Sequence, residues 1–90
     1  MTIEEIRKIL PTLPESPGCY KYIGQDGTII YVGKAKNLRR RVSSYFQREV
    51  QGAKTRLLVR QIRGIEYVVV GSEAEALILE NALIKEHKPR

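Results

Sequence analysis

Glu80 has the most unusual surroundings of any ionisable residue in the sequence. A helical side chain touches the residues three and four positions away on either side, and around Glu80 all of these are apolar. They are Ala76, Leu77, Leu83 and Ile84. A carboxylate in such surroundings must pair with a cation or bind a metal ion. Two hypotheses therefore stay open: a buried bridge to Arg39 or Arg41, or a ligand for a hard divalent cation.

Three tyrosines form a second candidate group. An Asp-Gly pair at positions 26 and 27 lies between two β-rich segments and predicts a hairpin with a two-residue turn. Tyr22 then lies opposite Tyr31, and Tyr20 lies opposite Gly33. Because side chains alternate along a strand, the three phenols share one face of the sheet, and Gly33 leaves space beside Tyr20 for a ligand. The alternative is a tyrosine ladder that only packs against a helix.

Positive charge is concentrated in the middle of the chain. The formal net charge is +6, which favours an anionic partner such as nucleic acid. The stretch from position 34 to position 48 contains cations and no acid. Its cations are Lys34, Lys36, Arg39, Arg40, Arg41 and Arg48, and the run is extended by Lys54, Arg56, Arg60 and Arg63. This distribution argues against a polycationic partner and favours a phosphate backbone.

The segment from Gly33 to Asn37 combines a glycine, two lysines and the start of a predicted helix, which is typical of a phosphate-binding turn. It is not a P-loop, and a solvated basic turn is the alternative. In the helix that follows, Arg39 and Arg41 lie at the two margins of the apolar stripe. Periodicity therefore predicts that both could reach a neighbouring site. Arg40 points away from the stripe and is interpreted as a solvated side chain.

The elements that must position these residues are predicted in the order αββααβα. The strands are expected at 19–23, 28–32 and 65–70, and the third is apolar enough to be central in the sheet. The fold class is therefore α+β, a small three-stranded antiparallel or mixed sheet flanked by helices.

Helix starts are predicted from capping residues. The segments 2–5 and 72–75 read as capping boxes for the first and last helices, and the last helix runs to about His87. Asn37 is the expected N-cap of the second helix. A break at Gln51-Gly52 separates that helix from a third one, at roughly 53–62.

The composition indicates one small domain. Ninety residues have room for a single modest core. The one cysteine, Cys19, cannot form an internal disulfide and is interpreted as a small buried hydrophobe in a reducing cytoplasm. No stretch approaches the roughly 20 apolar residues that a membrane span needs. We therefore expect a cytoplasmic, monomeric domain with no membrane association.

An ordered set of motifs resembles the GIY-YIG nuclease superfamily. Gly18-Cys19-Tyr20 and Tyr31-Val32-Gly33 are similar to its paired GIY and YIG elements, with cysteine and valine in place of the two isoleucines. The match continues to Ala76-Leu77-Ile78-Leu79-Glu80 and covers the chain from Pro17 to its end. Within the superfamily, the segments 17–20, 31–36 and 84–90 most resemble the UvrC family of DNA-repair excinucleases.

The resemblance implies roles by position. Glu80 corresponds to the glutamate that holds one divalent cation, Mg²⁺ or Mn²⁺. Arg41 corresponds to the arginine that contacts the scissile phosphate. Tyr20 and Tyr31 correspond to the motif tyrosines, either of which could act as the base or orient the attacking water. The further residues expected to bind or position DNA phosphates are Lys34, Lys36, Arg39 and Tyr45.

The tyrosine chemistry carries an expectation of its own. An ordinary tyrosine pKa of about 10 makes a poor base at neutral pH. Lys34, Arg41 and the cation are therefore expected to favour the phenolate and to lower the pKa of the motif tyrosine.

The implied function is a metal-dependent DNA endonuclease that makes the 3′-side incision in bacterial nucleotide excision repair. Its expected partners are double-stranded DNA and the damage-recognition proteins UvrA and UvrB. Residues 1–90 are then a single endonuclease domain in the N-terminal part of a longer protein, and an active-site asparagine of the family lies beyond residue 90. Two alternatives stay open: a non-catalytic basic DNA-binding or docking module, and a GIY-YIG nuclease of another branch.

Overall fold

The computed structural model of the chain describes residues 2–47 and 52–87. Its elements follow the predicted order, with one added 3₁₀ turn. The helices are α1 (Ile3–Ile9), α2 (Leu38–Tyr45), α3 (Ala53–Gln61) and α4 (Glu73–His87), and the 3₁₀ turn is Leu10–Thr12. The strands are β1 (Gly18–Ile23), β2 (Ile29–Ala35) and β3 (Gly64–Val69). Within the described ranges, no helix has the length and apolar character needed to cross a membrane.

The predicted helix starts are confirmed. The Thr2 hydroxyl accepts from Glu5 N at 3.2 Å, and the Glu5 carboxylate accepts from Thr2 N at 3.2 Å, which completes a capping box. The Asn37 side chain accepts from Arg40 N and begins α2. At the start of α4 the Ser72 hydroxyl accepts from Glu75 N, but the Glu75 carboxylate accepts from Gly71 N, so this predicted capping box is only half formed. Part of the predicted break at 51–52 lies outside the described residues.

The sheet is antiparallel with the order β2-β1-β3, so the central strand is β1. The prediction that the third strand is central was wrong. Tyr67, Val68 and Val69 are 43%, 43% and 49% exposed. The reason is that α4 packs across β1 and β2 and leaves the β3 edge largely uncovered. An apolar run shows that a strand can be buried and does not specify its place in the sheet.

The hairpin has the predicted register, with Tyr22 opposite Tyr31 and Tyr20 opposite Gly33. Its turn is different from the prediction. Gly24 N donates to Thr28 O, so the loop has three residues and ends at a glycine with φ of 83°. A glycine in the left-handed region can close a three-residue loop as well as a two-residue turn. A β-bulge then lies between the pair Ile23–Ile29 and the pair Tyr22–Tyr31.

Two apolar clusters lie on opposite faces of the sheet. The larger one brings α1, the 3₁₀ turn and α2 onto the tyrosine face. The smaller one packs Ala76 and Leu83 of α4 onto Cys19 and Val32. The Cys19 thiol is buried, as predicted, and lies 3.0 Å from the Ala76 carbonyl oxygen. Because β2 is an edge strand between α2 and α4, side chains from both faces can meet around its free edge.

Candidate active site

A cleft of roughly 620 Å³ opens at the outer edge of β2. Side chains from both strands of the hairpin, from α2 and from α4 line it. The predicted site residues that it brings together are Tyr20, Tyr31, Lys34, Lys36, Arg41 and Glu80. Gly33 to Ala35 belongs to β2, so the expected phosphate-binding turn is reduced to Lys36 and Asn37, which also line the cleft.

Glu80 enters the cleft from α4 and is half-buried. Its apolar surroundings are only partly closed, since Ala76 and Leu83 are buried whereas Leu77 and Ile84 are 46% and 41% exposed. None of the ion pairs among the described residues, 2–47 and 52–87, includes Glu80. These pairs are Lys21–Glu66, Lys36–Glu73 and Arg39–Glu15. The hypothesis of a bridge from Glu80 to Arg39 or Arg41 is therefore not supported.

The donor set of the cleft fits a hard divalent cation held by one carboxylate. Glu80 is the carboxylate in the lining, and the described residues contain no group of three or more His, Cys, Asp or Glu that could hold a metal. Mg²⁺ commonly binds through one or two carboxylates and takes its other ligands from water and substrate phosphate. A structural zinc site needs four protein ligands and does not fit this part of the chain.

A cluster of tyrosines forms the floor of the cleft. The ring centroids of Tyr20 and Tyr31 are 6.1 Å apart. Tyr20 is only 1% exposed, and its hydroxyl lies 2.9 Å from that of Tyr45. Tyr31 is half-buried. The space expected beside Tyr20 at Gly33 is filled by the Tyr20 ring itself, since a methyl group on Gly33 would collide with it.

The protein groups around the tyrosines keep them neutral. Burial raises the pKa of both Tyr20 and Tyr31, and the hydrogen bond to Tyr45 adds to the effect. Arg41 lowers both pKa values but does not outweigh burial. The expected direction of the Arg41 effect is correct, but the expected net lowering of the tyrosine pKa was wrong for the protein's own charges. Desolvation of a phenolate was the contribution that the sequence did not show.

Arg41 and Arg39 have separate surroundings although the helical wheel treats them alike. Arg41 lines the cleft, its guanidinium carbon is 5.4 Å from the Tyr45 ring centroid, and the Tyr20 phenol raises its pKa through hydrogen bonding. Arg39 donates from Nε to the Leu13 carbonyl oxygen at 2.7 Å and from Nη1 to a carboxylate at 3.1 Å. The segment after α1 thus holds Arg39 away from the cleft lining.

Two further differences concern α2. Tyr45 is buried and does not line the cleft, so it contacts the site through Tyr20. Arg40, interpreted from the sequence as solvated, is exposed and does line the cleft, together with Ser44 one helical turn later. No local signal in the sequence distinguishes Arg40 from Arg39, which lies in the same first turn and is held by Leu13 and Glu15.

The comparisons with known proteins agree with this geometry. A sequence model of the UvrC-like GIY-YIG domain matches residues 16–90. The chain belongs to the UvrC-like GIY-YIG domain family. It is 68% identical over 90 residues to UvrABC system protein C of Porphyromonas gingivalis and 60% identical over 89 residues to that of Bacteroides fragilis. These matches cover 100% and 99% of this chain and 15% of each relative, so this UvrC-like domain spans about 15% of the length of the curated relatives.

A solved structure shows the same fold. The magnesium-bound GIY-YIG N-terminal endonuclease domain of UvrC from Thermotoga maritima matches with a TM-score of 0.86 and 40% identity, over 99% of this chain and 96% of that one. Variants of that domain with a tyrosine replaced by phenylalanine are also bound to the catalytic divalent cation. The predicted family and fold are confirmed, and the prediction of an endonuclease domain agrees with these relatives.

Proposed function

We propose that this UvrC-like domain is a metal-dependent DNA endonuclease that hydrolyses a phosphodiester bond with one divalent cation held by Glu80. The observation that carries the proposal is the position of Glu80. Its carboxylate lies in a cleft lined by four cations and, among the described residues, forms no ion pair with any of them. A site that only bound phosphate would gain nothing from a carboxylate there.

Glu80 would hold the cation, and the T. maritima relative makes Mg²⁺ the first candidate, with Mn²⁺ as a second. When bound, the cation supplies Lewis-acid stabilisation of charge that develops on the phosphate oxygens. Arg41 binds a non-bridging oxygen, since its charge is exposed to the cleft and its pKa is raised. Lys34 and Lys36 bind neighbouring phosphates of the same strand.

The tyrosines position the attacking water. Both phenols are protonated at neutral pH because burial raises their pKa. Tyr31 is the more accessible of the two, so its neutral hydroxyl accepts a hydrogen bond from the attacking water and orients it, while the proton of the water passes to solvent or to the departing oxygen. Tyr20 is oriented by Tyr45 and holds Arg41 in place through its hydroxyl. Tyr31→Phe should therefore slow incision more than Tyr20→Phe does.

In the intact protein, this activity makes the incision on the 3′ side of a lesion in double-stranded DNA. The curated relatives are UvrABC system proteins, which supports UvrA and UvrB as the partners that deliver damaged DNA. The domain itself is monomeric and acts in the cytoplasm. Arg39 is left out of the phosphate-binding set because its guanidinium is already bound to other groups of the protein.

The test uses the intact protein with UvrA and UvrB and a duplex that carries one lesion and a label at each end. Glu80→Gln should lower the rate of the 3′ nick on the order of 10³-fold, since metal stabilisation is worth several kcal/mol. The 5′ nick on pre-nicked substrate should be retained. Glu86→Gln is the matched control, because it removes the same charge from an exposed position of the same helix. If both nicks survive Glu80→Gln, the domain is a docking module and not a nuclease.

A further inference from the structure

Helix α3 carries positive charge that the cleft does not use. Lys54, Arg56 and Arg60 are exposed, and none of them lines the cleft. The helix contains no acidic residue. In the described ranges none of the three side chains forms an ion pair. The three cations are therefore spread over the exposed half of α3, with Arg56 and Arg60 close together and Lys54 at the opposite margin, on a segment separate from the catalytic cleft.

This arrangement disfavours the helix in the isolated domain. Lys54 lies in the first turn, where the helix dipole favours an acid over a cation. Arg56 and Arg60 are four positions apart, and like charges at that spacing cost a few tenths of a kcal/mol. The helix has no fully buried residue and is held to the core through partly buried Leu58 and Val59. A polyanion bound to this surface would be attracted to the three cations and would offset their mutual repulsion.

Helix α3 also lies on the same face of the sheet as α2, because its apolar side chains join the core cluster that contains Tyr20 and Tyr45. Its C-terminal end is fixed beside Ile23, whose carbonyl oxygen accepts from Arg63 N at 2.7 Å. From Ile23 to Tyr20, which faces the cleft, is three residues of β1, or roughly 10 Å. The C-terminal end of α3 therefore lies about three phosphate spacings from Tyr20 along β1, since one DNA strand advances about 3.4 Å per phosphate.

We propose that the outer face of α3, formed by Lys54, Arg56 and Arg60, is a second binding surface for DNA phosphates beside the scissile bond. The inference rests on the proposed function of the domain. The surface supplies affinity and orientation, and no group of α3 touches the reacting atoms. Phosphate contacts of this kind are independent of base sequence and strongly dependent on salt.

The test measures binding of the chain to a lesion-free duplex by filter binding, as a function of salt concentration. The triple variant Lys54→Gln, Arg56→Gln, Arg60→Gln should weaken binding at low salt by at least about tenfold. The slope of log affinity against log salt should fall by about 0.9 for each lost contact. The variant Arg56→Lys, Arg60→Lys keeps the charge and should keep the slope. The matched control is Arg7→Gln, Lys8→Gln, Lys85→Gln, which removes three exposed cations from α1 and α4.

The outcomes separate this inference from the proposed function. The α3 variant should have an unchanged or higher Tm, because it removes like-charge repulsion. If its salt slope falls no more than that of the control, the α3 surface does not bind DNA and the inference is wrong. It is also wrong if DNA binding is unchanged but association with an acidic partner protein is lost. Failure of the proposed function has a different signature, which is retention of the 3′ nick by Glu80→Gln.

Discussion

Replacing Gly33 with alanine tests the packing of the tyrosine cluster beneath the cleft. Gly33 lies opposite Tyr20 in the sheet, and the Tyr20 ring covers it. An added methyl carbon would lie 2.9 Å from Tyr20 Cε2 and closer still to Cζ and the hydroxyl oxygen. The ring has little room to retreat, because Tyr20 is only 1% exposed. The methyl group must therefore displace either the ring or the β2 backbone.

The expected cost follows from three contributions. Forcing a methyl group into a packed core costs about 1–3 kcal/mol. Moving the Tyr20 hydroxyl away from that of Tyr45, now 2.9 Å distant, costs about 1 kcal/mol more. The smaller entropy of unfolded alanine offsets about 0.4–1 kcal/mol. We expect Gly33→Ala to lower the free energy of unfolding by about 1–3.5 kcal/mol.

Urea denaturation followed by far-UV circular dichroism measures this loss. Gly64→Ala is the matched control, since it is also a strand glycine but its methyl carbon would meet Ile23 Cβ at an ordinary 3.5 Å. The control should stay within about 0.5 kcal/mol of the parent. In a Tyr20→Leu background, Gly33→Ala should cost less than half as much. Equal stabilities for the two alanine variants would refute the packing argument.

Four further predictions concern Arg39, Arg41, the buried tyrosines and Cys19. Arg39→Gln should lower the free energy of unfolding by about 1–2 kcal/mol, because it removes a part-buried hydrogen bond, and leave incision per folded molecule unchanged. Arg41→Gln should leave the free energy of unfolding nearly unchanged and reduce incision on the order of 10²-fold in an end-labelled assay. If Arg39→Gln and Arg41→Gln reduce incision equally, both predictions are wrong. The pKa of Tyr20 and of Tyr22 is raised on folding, so their contribution to stability should be constant below about pH 10 and fall above it, as the unfolded phenols ionise. Phenolate absorbance from those residues in folded protein below that pH would count against their burial. Burial also raises the pKa of the Cys19 thiol, so a disulfide reagent should modify it only as fast as the domain unfolds, and rapid native-state labelling would show that the thiol is accessible.

Local patterns predicted what depends on local geometry. The alternation of side chains placed the three phenols on one face, and the predicted pairing of Tyr20 with Gly33 is correct because the bulge between Tyr22 and Ile23 offsets the unpredicted third loop residue. The spacing of apolar residues around Glu80 identified the carboxylate of the cleft. The N-caps of α1 and α4 were readable because a cap is made by residues three positions apart.

What the sequence did not show depends on contacts between distant segments. Arg39 and Arg41 are equivalent on a helical wheel, and the difference arises from a carbonyl at Leu13, which lies outside α2. The edge position of β3 depends on which strands α4 covers. The raised pKa of Tyr20 depends on burial by several elements at once. Each of these is a tertiary effect that overrides a correct local pattern.

The tyrosine cluster also gives this domain a built-in optical reporter. The chain has five tyrosines and no tryptophan, so its intrinsic fluorescence comes from phenols. The rings of Tyr20, Tyr22, Tyr31 and Tyr45 have centroids between 5.1 and 6.2 Å apart, close enough for excitation to pass among them. Emission from the unlabelled protein therefore reports mainly on the floor of the cleft. The binding of a cation or a DNA phosphate above the cluster should therefore change the tyrosine emission of the unlabelled protein.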